Sequence, residues 1–211
     1  MVLYRVGVPL KVALGRCPVA VAGTRDPTPW GRRLAWEIGH KLAEAGYTVV
    51  TGLARGVDEE AAAGALETGG CAVAVLPYLF ERDGKLNPRV LRLLRVAASS
   101  GALVSAVAEN LVKDDGRVRV WLAARNRIIT HMAAVLVVPE AKFKLAHWGT
   151  RYAVEYALAA ERFVIVLEPR AKSSDVVKAF EYFKRRGAVA ARDVDEVLNT
   201  IKRRCSAKDA Q

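Results

Sequence analysis

The segment PVAVAGTRDPTPWGRRLAWEIGHKLAEAG, residues 18–46, decides the fold class. It opens with an apolar run from Pro18 to Ala22, which has the length of a buried strand, and a turn at Gly23 follows it. Every fourth residue from Trp30 to Leu42 is apolar, so the pattern predicts one buried stripe of a helix that ends at Gly46. A buried strand followed by an amphipathic helix is the beginning of a βαβ unit.

The same alternation continues along the chain. Glycine-bounded apolar runs and helical patterns take turns, without a Pro/Gly/Ser-rich linker between them. Because the strands are continuous apolar runs, we expect an α/β protein with an open, mostly parallel sheet and helices on both faces. We predict a single domain over residues 1–204 and a short C-terminal tail over residues 205–211. The further strands are predicted at 47–50, 71–76, 102–106, 134–138 and 163–167, and the further helices from Asp58 to Gly69, at 89–98, 123–132 and 149–160, and twice between Ser173 and Arg204.

The chain is basic. Its 211 residues include 33 Lys and Arg against 22 Asp and Glu, a formal net charge of +11, and 52% of them are hydrophobic. These values exclude global disorder. They make nucleic acid, nucleotides and anionic membranes candidate partners, although a host with a generally basic proteome would explain the charge equally well.

No secretion signal or membrane span is predicted, so the expected location is the cytoplasm. The longest apolar stretches have about half the ~20 residues that a spanning helix needs. The cysteines at positions 17, 71 and 205 are far apart and form no Cys-x-x-Cys pair, which argues against disulfides and a zinc site. We interpret them as small apolar residues or surface thiols.

Two glycine-containing loops follow neighbouring predicted strands. Gly23-Thr24-Arg25 offers a tight turn, exposed N–H groups, a hydroxyl and a fixed charge, and the loop from Gly52 to Gly56 places Arg55 between glycines just before a helix. Each could be an ordinary strand-to-helix turn, but together they suggest a pocket for a phosphate. Neither is a Walker loop, and there is no Gly-x-Gly-x-x-Gly fingerprint, which disfavours nucleotide hydrolysis and hydride transfer.

Further cations lie in two helical patterns. Arg125-Asn126-Arg127 is a dense set of donors suited to phosphates or base edges, with a surface ion-pair cluster as the alternative. Arg89, Arg92 and Arg95 recur every three residues and form a basic face, which is more often simply solvated. Aromatic side chains that could stack on bases, or equally belong to the core, are Tyr78, Trp121 and Trp148.

Catalytic and metal motifs are scarce. The histidines form no ligand pair and there is no Gly-x-Ser-x-Gly elbow, so neither a metal site nor a serine nucleophile is expected. Asp58 and Glu140 follow predicted strands and could act as general bases, but Asp58 is equally well explained as an acid in the first turn of a helix. No catalytic residue and no cofactor is predicted.

Three motifs in order resemble the DNA-processing protein A (DprA/Smf) family. They are VAVAGTR at residues 19–25, TGLARGVD at 51–58 and ARNRII at 124–129, and GAVAARDVDEVL at 187–198 is similar to the end of the family's domain. The resemblance covers about residues 3–201. It implies a Rossmann-like domain that binds single-stranded DNA in a basic pocket, forms homodimers and hands the strand to a RecA/RadA-type recombinase.

The resemblance and the loop chemistry together define the expected DNA- and phosphate-binding residues. The matched motif positions are Thr24, Arg25, Arg55, Asn87, Arg125, Asn126 and Arg127, and the loops and the basic face add Gly23, Gly52, Gly56 and Arg89. The chain departs from the family pattern at several positions, namely Ala62 in place of histidine, Pro77 in place of glycine, Leu122-Ala123 in place of an aromatic-proline pair, and Trp148-Gly149-Thr150 with Ala153 in place of Ser-Gly-Ser and a threonine.

Two other functions compete with DNA binding. The first is a nucleotide-binding or nucleoside-monophosphate-cleaving protein similar to the cytokinin-activating (LOG-like) family, whose signature is Pro-Gly-Gly-x-Gly-Thr-x-x-Glu. Here Gly149-Thr150 matches, but Ala153 takes the place of the glutamate and leaves Glu155 as the nearest carboxylate. The second is an adaptor whose basic face binds an acidic protein.

Overall fold

Eight strands form one sheet in the structure, a computed structural model. It describes residues 3–15, 17–78, 100–106, 115–145, 148–170 and 174–208, together with residues 91, 93, 95 and 97. The strand order is β1-β5-β4-β3-β2-β6-β7-β8. The strands are β1 (Tyr4–Gly7), β2 (Val19–Val21), β3 (Val49–Thr51), β4 (Ala72–Val75), β5 (Ala102–Ser105), β6 (Val135–Val138), β7 (Phe163–Leu167) and β8 (Val189–Ala191).

Seven helices are described in full, most of them in the crossovers between strands. Between β4 and β5, residues 91, 93, 95, 97 and 100 also have helical backbone, as predicted for 89–98. The helices are α1 (Leu10–Leu14), α2 (Pro29–Glu44), α3 (Val57–Glu67), α4 (Asp115–Met132), α5 (Gly149–Ala159), α6 (Ser174–Arg185) and α7 (Val194–Lys208).

The sheet is mostly parallel, as the apolar runs predicted. Every pair of neighbours is parallel except β1 and β5, which pair antiparallel with Tyr4 opposite Ser105. The edge strands β1 and β8 were not predicted. Both are short, β1 is largely exposed and contains Arg5, and β8 is a three-residue strand of one valine and two alanines with one exposed and one half-buried position.

Helices cover both faces of the sheet, which confirms the predicted layers. Along β2, Val19 and Val21 pack on the layer formed by α2, α3 and α7, whereas Ala20 and Ala22 pack on the layer formed by α4, α5 and α6. This alternation follows from the two-residue period of a strand. Both layers contain fully buried side chains, such as Ile38 of α2 on one side and Phe183 of α6 on the other.

Close packing of α2 on α3 brings the loops after β2 and β3 together. A Cβ on Gly39 would overlap the carbonyl of Ala61, and a Cβ on Gly64 would overlap the carbonyl of Trp36. These two glycines therefore let the two backbones approach more closely than side chains would allow. Since α2 begins after the first glycine loop and α3 after the second, the packing fixes the distance between those loops.

The cysteines correct one prediction. Cys17 and Cys205 form a disulfide, with Cα atoms 5.9 Å apart, although 188 positions separate them in the sequence. The prediction was wrong because sequence spacing does not show that α7 returns to the amino edge of the sheet, where β2 begins. α7 also continues to Lys208, beyond residue 204, where the domain was expected to end. Cys71 is a free thiol whose Sγ donates to the carbonyl of Ala13, and partial burial raises its pKa.

No helix in the described part of the chain is long and apolar enough to cross a membrane.

Candidate functional site

The strand order reverses between β2 and β6, and the glycine loops lie beside this point. From β2 the chain builds the sheet in one direction through β3 and β4, and from β6 in the other through β7 and β8. Such a switch leaves a crevice at the carboxyl ends of the strands, where ligands of open α/β sheets bind. The loops after β2 and β6 meet there, because Thr24 N donates to the carbonyl of Glu140 at 3.0 Å.

Asp58 links the two glycine loops by accepting a hydrogen bond from each. It lies in the first turn of α3, and its Oδ1 accepts from Gly23 N at 3.3 Å while its Oδ2 accepts from Gly52 N at 3.2 Å. Burial raises the pKa of Asp58, and the nearby Arg125 charge and the backbone N–H donors oppose that rise. The carboxylate is therefore a bridge between loops, with both oxygens engaged, which disfavours its predicted role as a general base.

Arg125 and Asn126 cross-link the same loops from the side of α4. Arg125 donates from Nη1 to the carbonyl of Gly52 at 2.8 Å and from Nη2 to Asn126 Oδ1 at 3.2 Å, and Asn126 Nδ2 donates to the carbonyl of Gly149 at 3.3 Å. Both side chains are buried, at 7% and 8% exposure. Burial lowers the pKa of Arg125, which the carboxylate of Asp58 opposes. The Nε of Arg125 is buried and has no hydrogen-bond partner among the described residues. Arg125 and Asn126, which were expected to bind phosphate, therefore hold the loops together through buried hydrogen bonds.

Glu140 holds the start of α2. Thr28, the N-cap of that helix, donates from its hydroxyl to Glu140 Oε2 at 2.5 Å and from its backbone N–H to Oε1 at 2.7 Å. Gly31 leaves room for this carboxylate, since a Cβ there would lie 2.5 Å from Oε2. Glu140, the second candidate general base, is therefore also occupied by loop contacts.

Three cations act on the carboxylate of Asp26 on the solvent side of the loops, and Arg25 directly precedes it in the chain. Arg25, Arg55 and Lys144 are exposed, and Lys142 Nζ lies 2.9 Å from Asp26 Oδ2. The hydrogen bond from Lys142 lowers the pKa of Asp26, and the charges of Lys142, Arg55 and Lys144 lower it further. We call Arg25, Arg55, Lys142 and Lys144 the cationic cluster.

The loops also fix the cationic cluster in place. Arg55 Nε donates to the carbonyl of Arg25 at 3.2 Å. Gly56 packs closely against Thr24 and Arg25, and a Cβ there would lie 2.5 Å from the carbonyl oxygen of Thr24. Its φ of +92° also favours glycine. Arg25 and Arg55 were predicted from the sequence, whereas Lys142 and Lys144 were not. The signal was available, because these lysines flank Phe143 directly after the carboxyl end of β6.

The remaining candidates are not part of this cluster. Arg127 is exposed, and two residues along an α-helix correspond to a rotation of about 200°, so it faces away from Arg125. Its carbonyl is hydrogen-bonded to the ring of His131 at 2.8 Å. Asn87 and Arg89, like Arg92, lie outside the described residues.

Of the three aromatic candidates, Trp148 is a core residue, whereas Tyr78 and Trp121 are half-buried. Trp148 is 5% exposed and packs against Phe143, Tyr182 and Phe183, with ring centroids 5.0–5.2 Å apart. Tyr78 and Trp121 contact each other edge to face at 6.3 Å.

In the structure, the residues at the positions compared with the LOG-like signature make other contacts. Ala153 is buried in the core, and Thr150 donates to the carbonyl of Gly23 at 2.9 Å. Glu155 accepts from the hydroxyl of Tyr182 at 2.9 Å and from Arg186 at 3.0 Å. In the described ranges, no three His, Cys, Asp or Glu side chains are grouped so that they could hold a metal ion.

Known proteins share this architecture. The solved DNA processing protein A of Helicobacter pylori, whose structure was described for its single-stranded DNA binding mode, matches with a TM-score of 0.77 and 25% identity over 95% of this chain and 86% of that one. The Streptococcus pneumoniae protein matches with the same score and identity over 93% of this chain and 65% of that one. The molybdenum cofactor binding protein of Rippkaea orientalis, at 22% identity and a TM-score of 0.60 over 89% of this chain and 97% of that one, shares the fold.

Sequence comparison leads to the same family. Protein Smf of Synechocystis is 32% identical over 180 residues, 84% of this chain and 42% of that protein, and Protein Smf of Escherichia coli is 28% identical over 90% of this chain and 48% of that protein. The chain thus spans less than half the length of these relatives. The family model for DNA recombination-mediator protein A matches residues 1–202. The chain belongs to the DNA recombination-mediator protein A (DprA/Smf) family.

Proposed function

We propose that this chain binds single-stranded DNA at the carboxyl edge of its sheet, with the cationic cluster neutralising the strand's phosphates. The observation that carries the proposal is the convergence of Arg55, Lys142 and Lys144 on the carboxylate of Asp26, next to the exposed Arg25, whose carbonyl accepts from Arg55. Its support from outside the chain is the single-stranded DNA binding described for the Helicobacter pylori relative.

Binding is electrostatic and depends on rigid loops. Each phosphate that the cluster neutralises releases condensed counterions, so affinity falls as salt rises with a slope of about −0.7 per contact for single strands. Three or four contacts predict a slope of about −2 to −3. Asp58, Arg125 and Asn126 contribute by holding the loops, so that Arg25 and Arg55 are presented without a large ordering cost on binding.

A titration of fluorescently labelled oligothymidine, followed by anisotropy at several salt concentrations, tests the proposal. The double variant Arg25→Ala/Arg55→Ala should weaken binding and reduce the salt slope by about 1.4, about 0.7 for each cation removed. The matched control is Arg185→Ala/Lys202→Ala, which removes the same charge from exposed positions near the amino edge of the sheet. Equal losses in the two double variants would show that net charge alone attracts the strand, and absence of binding at low salt would refute the proposal.

Two further parts of the proposal concern partners. We infer from family membership that the chain acts as a homodimer in recombination and passes the strand to a RecA/RadA-type recombinase. Light scattering of the purified protein checks the dimer. A strand-transfer assay with recombinase, in which the Arg25→Ala/Arg55→Ala variant should fail to load the strand, checks the second step.

A further inference from the structure

Beyond the cationic cluster, one arginine at the same edge of the sheet lies on a tryptophan. Arg170 follows β7, and its Cζ lies 4.3 Å from the ring centroid of Trp30, in the first turn of α2. Arg33, one turn further along α2, places its Cζ 5.7 Å from the same ring. The ring is half-buried and packs against the core, so it is a fixed support.

Arg170 also continues the line of cations along the sheet edge. The exposed residues Arg55 and Arg25, the half-buried Lys142 and the exposed Arg170 follow β3, β2, β6 and β7, which are successive neighbours in the sheet. At about 4.8 Å between strands, the line from β3 to β7 is about 14 Å long. One DNA strand crossing the strand ends would meet these four groups in turn.

Nearby carboxylates leave Arg170 free. Glu168, two residues earlier, acts instead on Arg192 beside β8, whose pKa it helps to raise. No carboxylate in the described part of the chain forms an ion pair with Arg170. The guanidinium therefore lies against the indole ring and has no ion-pair partner among the residues that the structure describes.

We propose that Arg170, whose Cζ lies over the Trp30 ring, is a stacking platform for a nucleobase, and that single-stranded DNA leaves the cationic cluster in the direction of β7. This inference rests on the proposed function and adds the path and a base contact to it. A guanidinium plane supported by an aromatic ring presents its outer face to any base, whereas a lysine ammonium supplies charge without a plane. The contact is indifferent to base identity, because every base has a π face.

The test separates charge from planarity. Anisotropy titrations use wild type, Arg170→Lys and Arg170→Ala with oligothymidine of about 15 nucleotides, and with an abasic strand of the same length. Arg170→Lys should lower affinity for oligothymidine about five-fold or more, which corresponds to the lower end of measured base-stacking contributions, at an unchanged salt slope. On the abasic strand Arg170→Lys should bind like wild type. Arg170 is exposed, so neither variant threatens the fold.

Trp30 is tested with a graded pair. Trp30→Leu keeps apolar contact with the core and should lower affinity for oligothymidine, whereas Trp30→Phe keeps a ring and should restore most of it. A circular dichroism melt identifies any loss due to unfolding.

Three results would overturn the inference. If Arg170→Lys binds oligothymidine like wild type, the guanidinium plane has no role. An equal loss on the abasic strand would make Arg170 a phosphate contact and nothing more. If wild type shows no binding, the proposed function fails and this inference with it, whereas wild-type binding that is insensitive to Arg170 and Trp30 removes this inference alone.

Discussion

Removing Asp58 should be among the most damaging single changes near the site, although its side chain is buried beneath the loops. Asp58→Ala leaves the N–H groups of Gly23 and Gly52 without their acceptor. It also removes the negative charge that favours the charged form of Arg125. Each buried donor left without an acceptor costs about 1–3 kcal/mol, so the two N–H groups together cost about 2–6 kcal/mol. For a chain of this size each kcal/mol lowers Tm by roughly 2–4 °C, so we expect a fall of about 4–24 °C.

A double-mutant cycle tests the cause of this loss. Arg125→Met should also destabilise, but Asp58→Ala/Arg125→Met should cost clearly less than the two single changes combined, because neither charge is then buried alone. Urea unfolding of the four proteins gives the coupling energy, and the control is Glu37→Ala, at an exposed position on α2, which should change stability by less than about 0.5 kcal/mol. If the single effects add within about 0.5 kcal/mol, or if Asp58→Ala costs less than about 1 kcal/mol, the assigned bridge between the loops is wrong.

Three more predictions concern the cluster, the loops and the disulfide. Asp26→Asn should raise affinity for oligothymidine and steepen the salt slope by about 0.7, because it frees Lys142 for phosphate. The hydrogen bond from Lys142 lowers the pKa of Asp26, so the carboxyl stays charged down to acidic pH. The gain in affinity should therefore be constant from about pH 6 to 8 and shrink only as wild type becomes protonated below that lowered pKa. A gain that varied within the neutral range would contradict the ion pair. Gly52→Ala should lower both Tm and DNA affinity, because its Cβ would overlap a buried guanidinium, and an unchanged melt would contradict that close contact. Reduction with dithiothreitol should lower stability by about 2–5 kcal/mol in wild type and leave Cys17→Ser/Cys205→Ser unaffected, and equal sensitivity of both proteins would point to a different thiol.

The layers of the fold were predictable because their signal is local. A central strand such as β6 is a continuous apolar run, and α2 shows its buried stripe at every fourth residue, so neither needs a distant partner to be recognised. The edge strand β1 carries no such signal. Its pairing with β5 joins residues about 100 positions apart, as the match of Tyr4 with Ser105 shows, and that contact depends on the finished sheet.

The residues predicted to form the site differ from those that the structure brings together in their burial and in the charges near them. A sequence shows that Arg125 and Arg25 are cations, but it does not show that one is buried against Asp58 and the other exposed above it. The position of Lys142 becomes meaningful only when β6 is known to lie beside β2, because that adjacency brings its ammonium to Asp26.

This difference explains why the motif at residues 124–129 does not supply the groups that we propose to contact DNA. Arg125 and Asn126 each satisfy several fixed partners inside the protein, so lysine or glutamine could not replace them without leaving a buried polar group unpaired. The exposed members of the cationic cluster act through charge at the surface, where either cation can neutralise a phosphate. Arg25→Lys should therefore keep most of the affinity and the full salt slope, whereas Arg125→Lys should lose stability first and affinity as a consequence. Thermal melts and salt titrations of the two lysine variants compare these effects directly, and the reverse ranking would mean that Arg125 is itself the ligand contact.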